Sequence, residues 1–178
     1  MKTIIRNTTL AALLGIAVVP TQTVRAAGDL KTEAEQAITN FKKADSELKK
    51  FFDTSVGYVV FPSVGKGGLV IGGERGKGLV YEKGKVIGEA TLTGITFGAQ
   101  VGGEHFYEVI FFETAEALSA LKESKCQLSA EVNAVAAAAG AAKTAKYQQG
   151  VAVFTLPRSG LMAQATVGGQ KFKFKPLK

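Results

Sequence analysis

The side chains that most often carry out catalysis are scarce in this chain. Its 178 residues include one histidine, His105, and one cysteine, Cys126. A catalytic nucleophile needs a base beside it or a lowered pKa, and a metal site needs clustered His, Cys and carboxylate ligands. Neither residue lies in a motif that supplies such partners. We therefore expect a non-enzymatic protein with no metal and no cofactor, in which His105 is an ordinary strand residue and Cys126 a small buried one.

Glycine-rich stretches are the second place where chemistry could occur, because such loops can cradle phosphate groups. The run Gly65-Lys66-Gly67-Gly68 and the segment from Gly73 to Gly78 match neither G-x-G-x-x-G nor G-x-x-x-x-G-K-[ST]. The sequence therefore gives no support to a nucleotide site. These glycines are better explained by turns and close strand packing.

Cations recur beside these glycines. Free backbone N–H groups and cations together can hold phosphate, which makes these residues candidates for contact with lipid head groups. A solvated basic surface explains the same pattern equally well. The candidates are Lys66, Arg75, Lys77, Lys83 and Lys85.

Lysine and phenylalanine alternate near the C-terminus, from Lys171 to Lys175. Alternation with a period of two places the lysines on one face of a strand and the phenylalanines on the other. We favour an edge strand that lysines protect, with phenylalanines in the core, over a strip that faces a membrane.

The N-terminus resembles a secretory signal. Lys2 and Arg6 precede an apolar stretch from Leu10 to Pro20 that is too short to span a bilayer, and Val24-Arg25-Ala26 fits a cleavage site. We expect residues 1–26 to be removed and residues 27–178 to form a single domain. Of 22 basic residues 19 remain in that domain, against 15 acidic ones, for a formal charge of +4. This suits an anionic membrane surface or an acidic ligand, and an exported protein seldom meets nucleic acid.

Helical periodicity is limited to two segments. Leu30 to Phe52 predicts one long amphipathic helix with Asp29 as its cap, and Thr114 to Glu123 predicts one short additional helix capped by Thr114. Leu128 to Ala139 is ambiguous, and its alternation favours a strand.

The remaining segments have the period of two that is typical of strands, with turns at 82–85, 102–103 and 168–169. The fold class is therefore α+β, mainly antiparallel β, with a compact barrel-like sheet. The predicted strands cover residues 57–61, 67–72, 78–82, 86–93, 95–101, 105–112, 150–155, 161–167 and 171–175.

Three segments together resemble the lipid-binding SYLF family, also described as the actin-binding domain of certain fungal endocytic proteins. They are GYVVFPSVGKGGLVIGGERGKGLVY (57–81), TLTGITFGAQVGGEHFYEVIFF (91–112) and VAVFTLPRSGLMAQATVGG (151–169). Their most specific parts are Phe61-Pro62, the G-x-Q-x-G run from Gly98 and R-S-G-L from Arg158. The resemblance implies a barrel-like domain with packed helices that binds phospholipids, which are phosphoinositides in eukaryotic relatives.

The matched segments extend the set of candidate residues. Arg158 joins the head-group candidates, and Phe61, Phe97 and Phe106 are candidates for apolar contact with lipid. The expected function is an exported, periplasmic module of the cell envelope, peripheral to a membrane, that binds phospholipid or a membrane surface. An actin partner does not suit an exported protein. The alternative is a structural or stress-related envelope protein that binds a protein partner.

Overall fold

The structure is a computed structural model, and it describes residues 27–68, 71–97, 100–129, 132–158 and 169–177. The predicted signal peptide, the predicted strand at 161–167 and the first residue of the predicted turn at 168–169 lie outside these ranges. Among the described residues, no helix is both long and apolar enough to cross a bilayer.

The predicted N-terminal helix is two helices, α1 (Ala27–Ala44) and α2 (Leu48–Thr54). Asp45 lies between the two helices. Its carboxylate accepts hydrogen bonds from the backbone N–H of Glu47 (3.0 Å) and of Ala142 (2.7 Å). The prediction of one continuous helix is wrong because this buried carboxylate bonds to backbone groups outside a regular helical turn. Asp29 lies in the first turn of α1 and not before it.

Two more helices follow the sheet's central strands. The predicted helix α3 (Ala115–Lys122) is confirmed, and the side chain of its cap Thr114 accepts a hydrogen bond from the N–H of Ala117 at 3.3 Å. The short helix α4 (Ala141–Thr144) was not predicted, so the structure holds more than the one short additional helix expected.

Seven strands are described: β1 (Gly57–Gly68), β2 (Ile71–Glu82), β3 (Lys85–Phe97), β4 (Gln100–Phe112), β5 (Ala134–Ala136), β6 (Val151–Pro157) and β7 (Lys171–Pro176). The first four are longer than predicted, because glycines taken as turns lie within strands, including those at 102–103. The turn at 82–85 is confirmed, since Lys83 and Gly84 both have positive φ, as a tight hairpin requires. Of the residues described in the ambiguous segment, only Ala134–Ala136 form a strand.

The strand order is β5-β6-β4-β1-β2-β3-β7, and every pair is antiparallel except β5 with β6. This confirms the mainly antiparallel α+β class. The inner face of the sheet carries Val59, Phe61, Leu92 and Ile110, which pack with α3. The outer face carries Val60, Leu79, Tyr81, Val109 and Phe111, on which α1 and α2 pack.

The sheet curls around its inner face without closing. Phe61 on β1 and Phe172 on β7 lie three strands apart, about 14 Å in a flat sheet, yet their ring centroids are 5.9 Å apart. No ladder joins β5 to β7. Instead, residues 126–128 hydrogen-bond to the edge of β7, and the chain then continues to β5 at the other edge. Within the described part of the chain, the barrel-like shape is therefore completed by irregular chain and not by a strand.

Candidate functional site

The outer face of β2, β3 and β7 carries a set of aligned cations. The register places Arg75 opposite Thr93 and Thr93 opposite Lys171; one row further, Lys77, Thr91 and Lys173 align in the same way. Residues directly opposite each other in a ladder share a face of the sheet. We define the cationic face as the five exposed residues Arg75, Lys77, Lys171, Lys173 and Lys175.

An apolar side chain stands at the end of the cationic face. Ile95 on β3 is 60% exposed and lies opposite Gly73, one row beyond Arg75. The carboxylate of Glu89, opposite Lys175, is half-buried on the same face. The surface therefore combines five cations, one carboxylate and one exposed branched aliphatic residue, a composition that suits an anionic surface with an apolar interior.

A groove of about 430 Å³ adjoins the cationic face. It is lined by Leu30 of α1 and by residues of β1 to β4, among them Arg75, Lys77 and His105. Ser63 Oγ lies 3.5 Å from Nδ1 of His105. Gly65, which lies opposite Arg75 and His105 on the outer face, also lines the groove, so no side chain fills it from that position. The groove can accept an anionic group beside the two cations.

Arg158 lies at the same end of the sheet, on the far side of β1. Its backbone N–H donates to the carbonyl oxygen of His105 (3.1 Å), and its guanidinium carbon lies 5.2 Å from the centroid of the Tyr107 ring. This cation–π contact holds the exposed charge on the outer face beside His105. The structure thus brings Arg158, Arg75 and Lys77 to one end of the outer face, with Arg158 separated from the cationic face by β4 and β1.

Two of the predicted cations lie elsewhere. Lys83 lies in the β2–β3 turn, and Lys85 directly follows that turn. Lys83 is eight residues from Arg75 and Lys85 is eight residues from Thr93, the partner of Arg75, so each lies about 26 Å from that row at the rise of a strand. They are exposed but occupy the opposite end of the sheet. They therefore cannot share a single head group with Arg75.

Three further candidates face the interior. Lys66 is 5% exposed and points to the inner face, because it pairs with Glu74, whereas its neighbour Gly65 pairs with Arg75 on the outer face. Phe61 and Phe106 are buried in the core beneath the inner face. None of the three can touch a lipid that lies on the outer face. The side chain of Phe97 is outside the described part of the structure.

Behind the cationic face lies a set of buried polar side chains that we call the interior polar cluster: Lys66, Glu74, Glu108 and Gln170. Glu108 is fully buried, and its Oε2 accepts a hydrogen bond from Nε2 of Gln170 at 3.1 Å. The pKa of Glu108 is raised to about 8, chiefly by burial and also by the nearby charge of Glu74, against the opposing effects of the Gln170 hydrogen bond and the Lys66 charge. Burial likewise raises the pKa of Glu74.

Sequence reasoning missed this cluster, although a signal was present. Glu108 interrupts the apolar run from Phe106 to Phe112, at a position whose period-two neighbours, Phe106 and Ile110, are core residues. A charged residue on the apolar side of a strand is a sign of a buried, partnered or protonated group. In the described ranges, no three His, Cys, Asp or Glu residues are placed to hold a metal ion.

The C-terminal strand is confirmed as an edge strand. β7 is last in the strand order, Phe172 is buried, and Lys171, Lys173 and Lys175 are exposed. The same lysines supply three of the five charges of the cationic face, which the sequence did not connect to Arg75 and Lys77.

These features describe a small α+β domain built around a curled antiparallel sheet with one cationic face. Residues 93–176 match the model of a family described as Ysc84, Las17-binding protein actin regulator. The chain is also 29% identical over 146 residues to Beta cell expansion factor A of Aeromonas veronii. These matches agree with the sequence motifs and confirm that the chain resembles the Ysc84 or SYLF family.

The match to Beta cell expansion factor A covers 80% of this chain and 55% of that relative. This chain therefore corresponds to only part of the relative's length.

Proposed function

We propose that this protein is a non-enzymatic, exported module that binds the anionic surface of a membrane through its cationic face. The observation that carries the proposal is the alignment of five exposed cations on β2, β3 and β7 beside the exposed Ile95. Each Lys or Arg near an anionic bilayer contributes on the order of 1 kcal/mol, and an apolar side chain at the margin can enter the interface. The signal-like N-terminus supports a periplasmic location and argues against an actin partner.

The packing of α1 supports the sheet over the helix as the membrane contact. Leu30, Ala34, Ala37 and Phe41, which form the apolar face of this helix, are buried against the sheet. An interfacial helix must offer that face to the lipid, so α1 would first have to leave the sheet. The cationic face needs no such rearrangement.

A vesicle sedimentation experiment with a charge-matched control tests the proposal. The variant Arg75→Glu/Lys77→Glu reverses two charges on the cationic face, and Lys83→Glu/Lys85→Glu reverses two at the other end of the same hairpin. Loss of two cations costs about 2 kcal/mol and two new carboxylates repel the surface, so binding to vesicles with anionic phosphatidylglycerol should fall by about thirtyfold or more. The control pair should change it by less than about threefold.

Salt and lipid composition complete the test. Binding should weaken as salt rises, because the Debye length is about 10 Å at 0.1 M, and should be absent for neutral phosphatidylcholine vesicles. Equal binding to both vesicle types, or equal losses in the two double variants, would contradict the proposal. No binding to either vesicle type would instead favour an envelope protein partner, which cross-linking in intact cells can detect.

A further inference from the structure

The interior polar cluster lies directly behind the cationic face. Glu74 precedes Arg75 on β2, and Gln170 precedes Lys171 at the start of β7. Alternation along a strand sends neighbouring side chains to opposite faces of the sheet. The cluster therefore lies on the inner face of the sheet, directly behind the row formed by Arg75, Thr93 and Lys171 on the outer face.

The cluster contains more acceptors than donors. Four buried oxygens have no hydrogen-bond partner among the described residues: both carboxylate oxygens of Glu74, Oε1 of Glu108 and Oε1 of Gln170. An unpartnered buried acceptor costs about 1–3 kcal/mol, and more when it is charged. A proton on a carboxylate turns one of these acceptors into a donor. The arrangement therefore favours a state in which the cluster holds an extra proton.

Charge balance points the same way. Among the described side chains, the polar groups that face Glu108 are Lys66 from β1, Glu74 from β2, Thr155 from β6, which lies directly opposite, and Gln170 before β7. At the level of Glu74, β3 contributes Gly94, which has no side chain. Among the described side chains of the cluster, two carboxylates face one ammonium group, so one proton makes these three groups neutral together. Its loss leaves a net negative charge among buried side chains.

The end of the sheet that contains the cluster is also the less supported end. α1 and α2 cover the outer face near Leu79, Tyr81 and Phe111, whereas Gly67, Gly73, Thr93 and Ile95 are exposed. The inner face at this level holds the polar cluster in place of apolar side chains. Among the described side chains, few buried apolar contacts hold this level closed, so it can open locally at a lower free energy than global unfolding.

We propose that Glu74 and Glu108 form a buried proton-binding site that locks this end of the sheet, so that binding of one proton closes it and loss of that proton opens it. The opened state exposes the carboxylates to water, where they ionise at their ordinary pKa. Burial raises the pKa of Glu108 in the closed state to about 8. Opening therefore becomes tenfold more favourable for each pH unit between about 4.5 and 8 and is constant above that range.

Hydrogen exchange measured by mass spectrometry tests this lock. After correction for the intrinsic exchange rate, protection of peptides from 71–77 and 169–175 should fall about a hundredfold between pH 5.5 and 7.5 in the wild type. In Glu108→Gln, which keeps the shape but removes the titration of Glu108, protection should fall much less over the same pH range, because only Glu74 still titrates. Peptides from α1 should not change. A wild-type change below twofold, or the same slope in Glu108→Gln, would overturn the proposal.

A second measurement does not depend on any variant. Carbon-13 labelling of glutamate allows each side-chain carboxyl to be titrated by NMR in the wild-type protein. One resonance should titrate above pH 7 while those of exposed glutamates titrate near their ordinary values. Titration of every glutamate below pH 6 would refute the proton site.

Discussion

Replacement of Glu108 by glutamine should stabilise the protein at neutral pH. In the unfolded chain this carboxyl has its ordinary pKa of 4.5 and is ionised at pH 7, whereas the buried carboxyl, with a pKa of about 8, keeps its proton. The folded state therefore binds a proton that the unfolded state does not. Protonation of this carboxyl at pH 7 lowers the free energy of unfolding by roughly 3 kcal/mol. A glutamine side chain is neutral without a proton, so the variant does not lose this free energy.

The sign of the pH dependence follows from the raised pKa. The contribution of Glu108 to stability is fully present below pH 4.5, is lost between 4.5 and about 8, and is constant above that range. Glu74, whose pKa is also raised, acts in the same direction. The difference in unfolding free energy between Glu108→Gln and the wild type should therefore be near zero at pH 4 and should reach its largest value near pH 8.

Urea unfolding at pH 4, 5.5, 7 and 8 measures this difference, and thermal unfolding at pH 7 should show a rise in Tm of roughly 6–12 °C for a gain of about 3 kcal/mol. Glu47→Gln, at an exposed position of the same residue type, is the matched control and should change neither quantity. A destabilised Glu108→Gln at pH 7, or a difference that does not vary with pH, would refute this reasoning. Such a result would mean that Glu108 is ionised in the folded protein.

Three further predictions concern stability and reactivity. Gly78→Ala should destabilise by about 2–3 kcal/mol, because a Cβ there would lie 2.4 Å from the carbonyl oxygen of Val60, whereas Gly67→Ala, with no atom within 4 Å, should be nearly neutral in urea unfolding. Asp45→Ala should cost about 1–3 kcal/mol by the same assay, because it leaves the N–H of Ala142 without its 2.7 Å partner; equal stability would contradict that role. Cys126, whose thiol has a pKa that burial raises to about 11, should react with a thiol reagent at pH 8 only as fast as the protein unfolds.

Local patterns in the sequence determined much of this fold. The period of two specified β6 and β7 closely, because Phe172 alternates with exposed lysines along a single strand. Thr114 before an apolar helical pattern specified α3, since a cap bonds to its own first turn. Lys83-Gly84 specified the β2–β3 turn because both residues adopt positive φ. Each of these signals depends on residues within a few positions of one another, and the sequence motifs added the resemblance to the SYLF family.

Long-range contacts decided the rest. Asp45 ends α1 by bonding to Ala142, which is 97 residues away, so no helical pattern could predict that break. Lys66 and Arg75 are both cations beside glycines in the sequence. Their positions in the strand register place Lys66 on the inner face and Arg75 on the outer face. The cationic face exists only because β7 pairs with β3, and the proton site only because the curled sheet brings Gln170 to Glu108. Strand pairing and sheet curvature bring together residues that are distant in the chain. Both proposed sites consist of such residues, so local sequence patterns could not predict them.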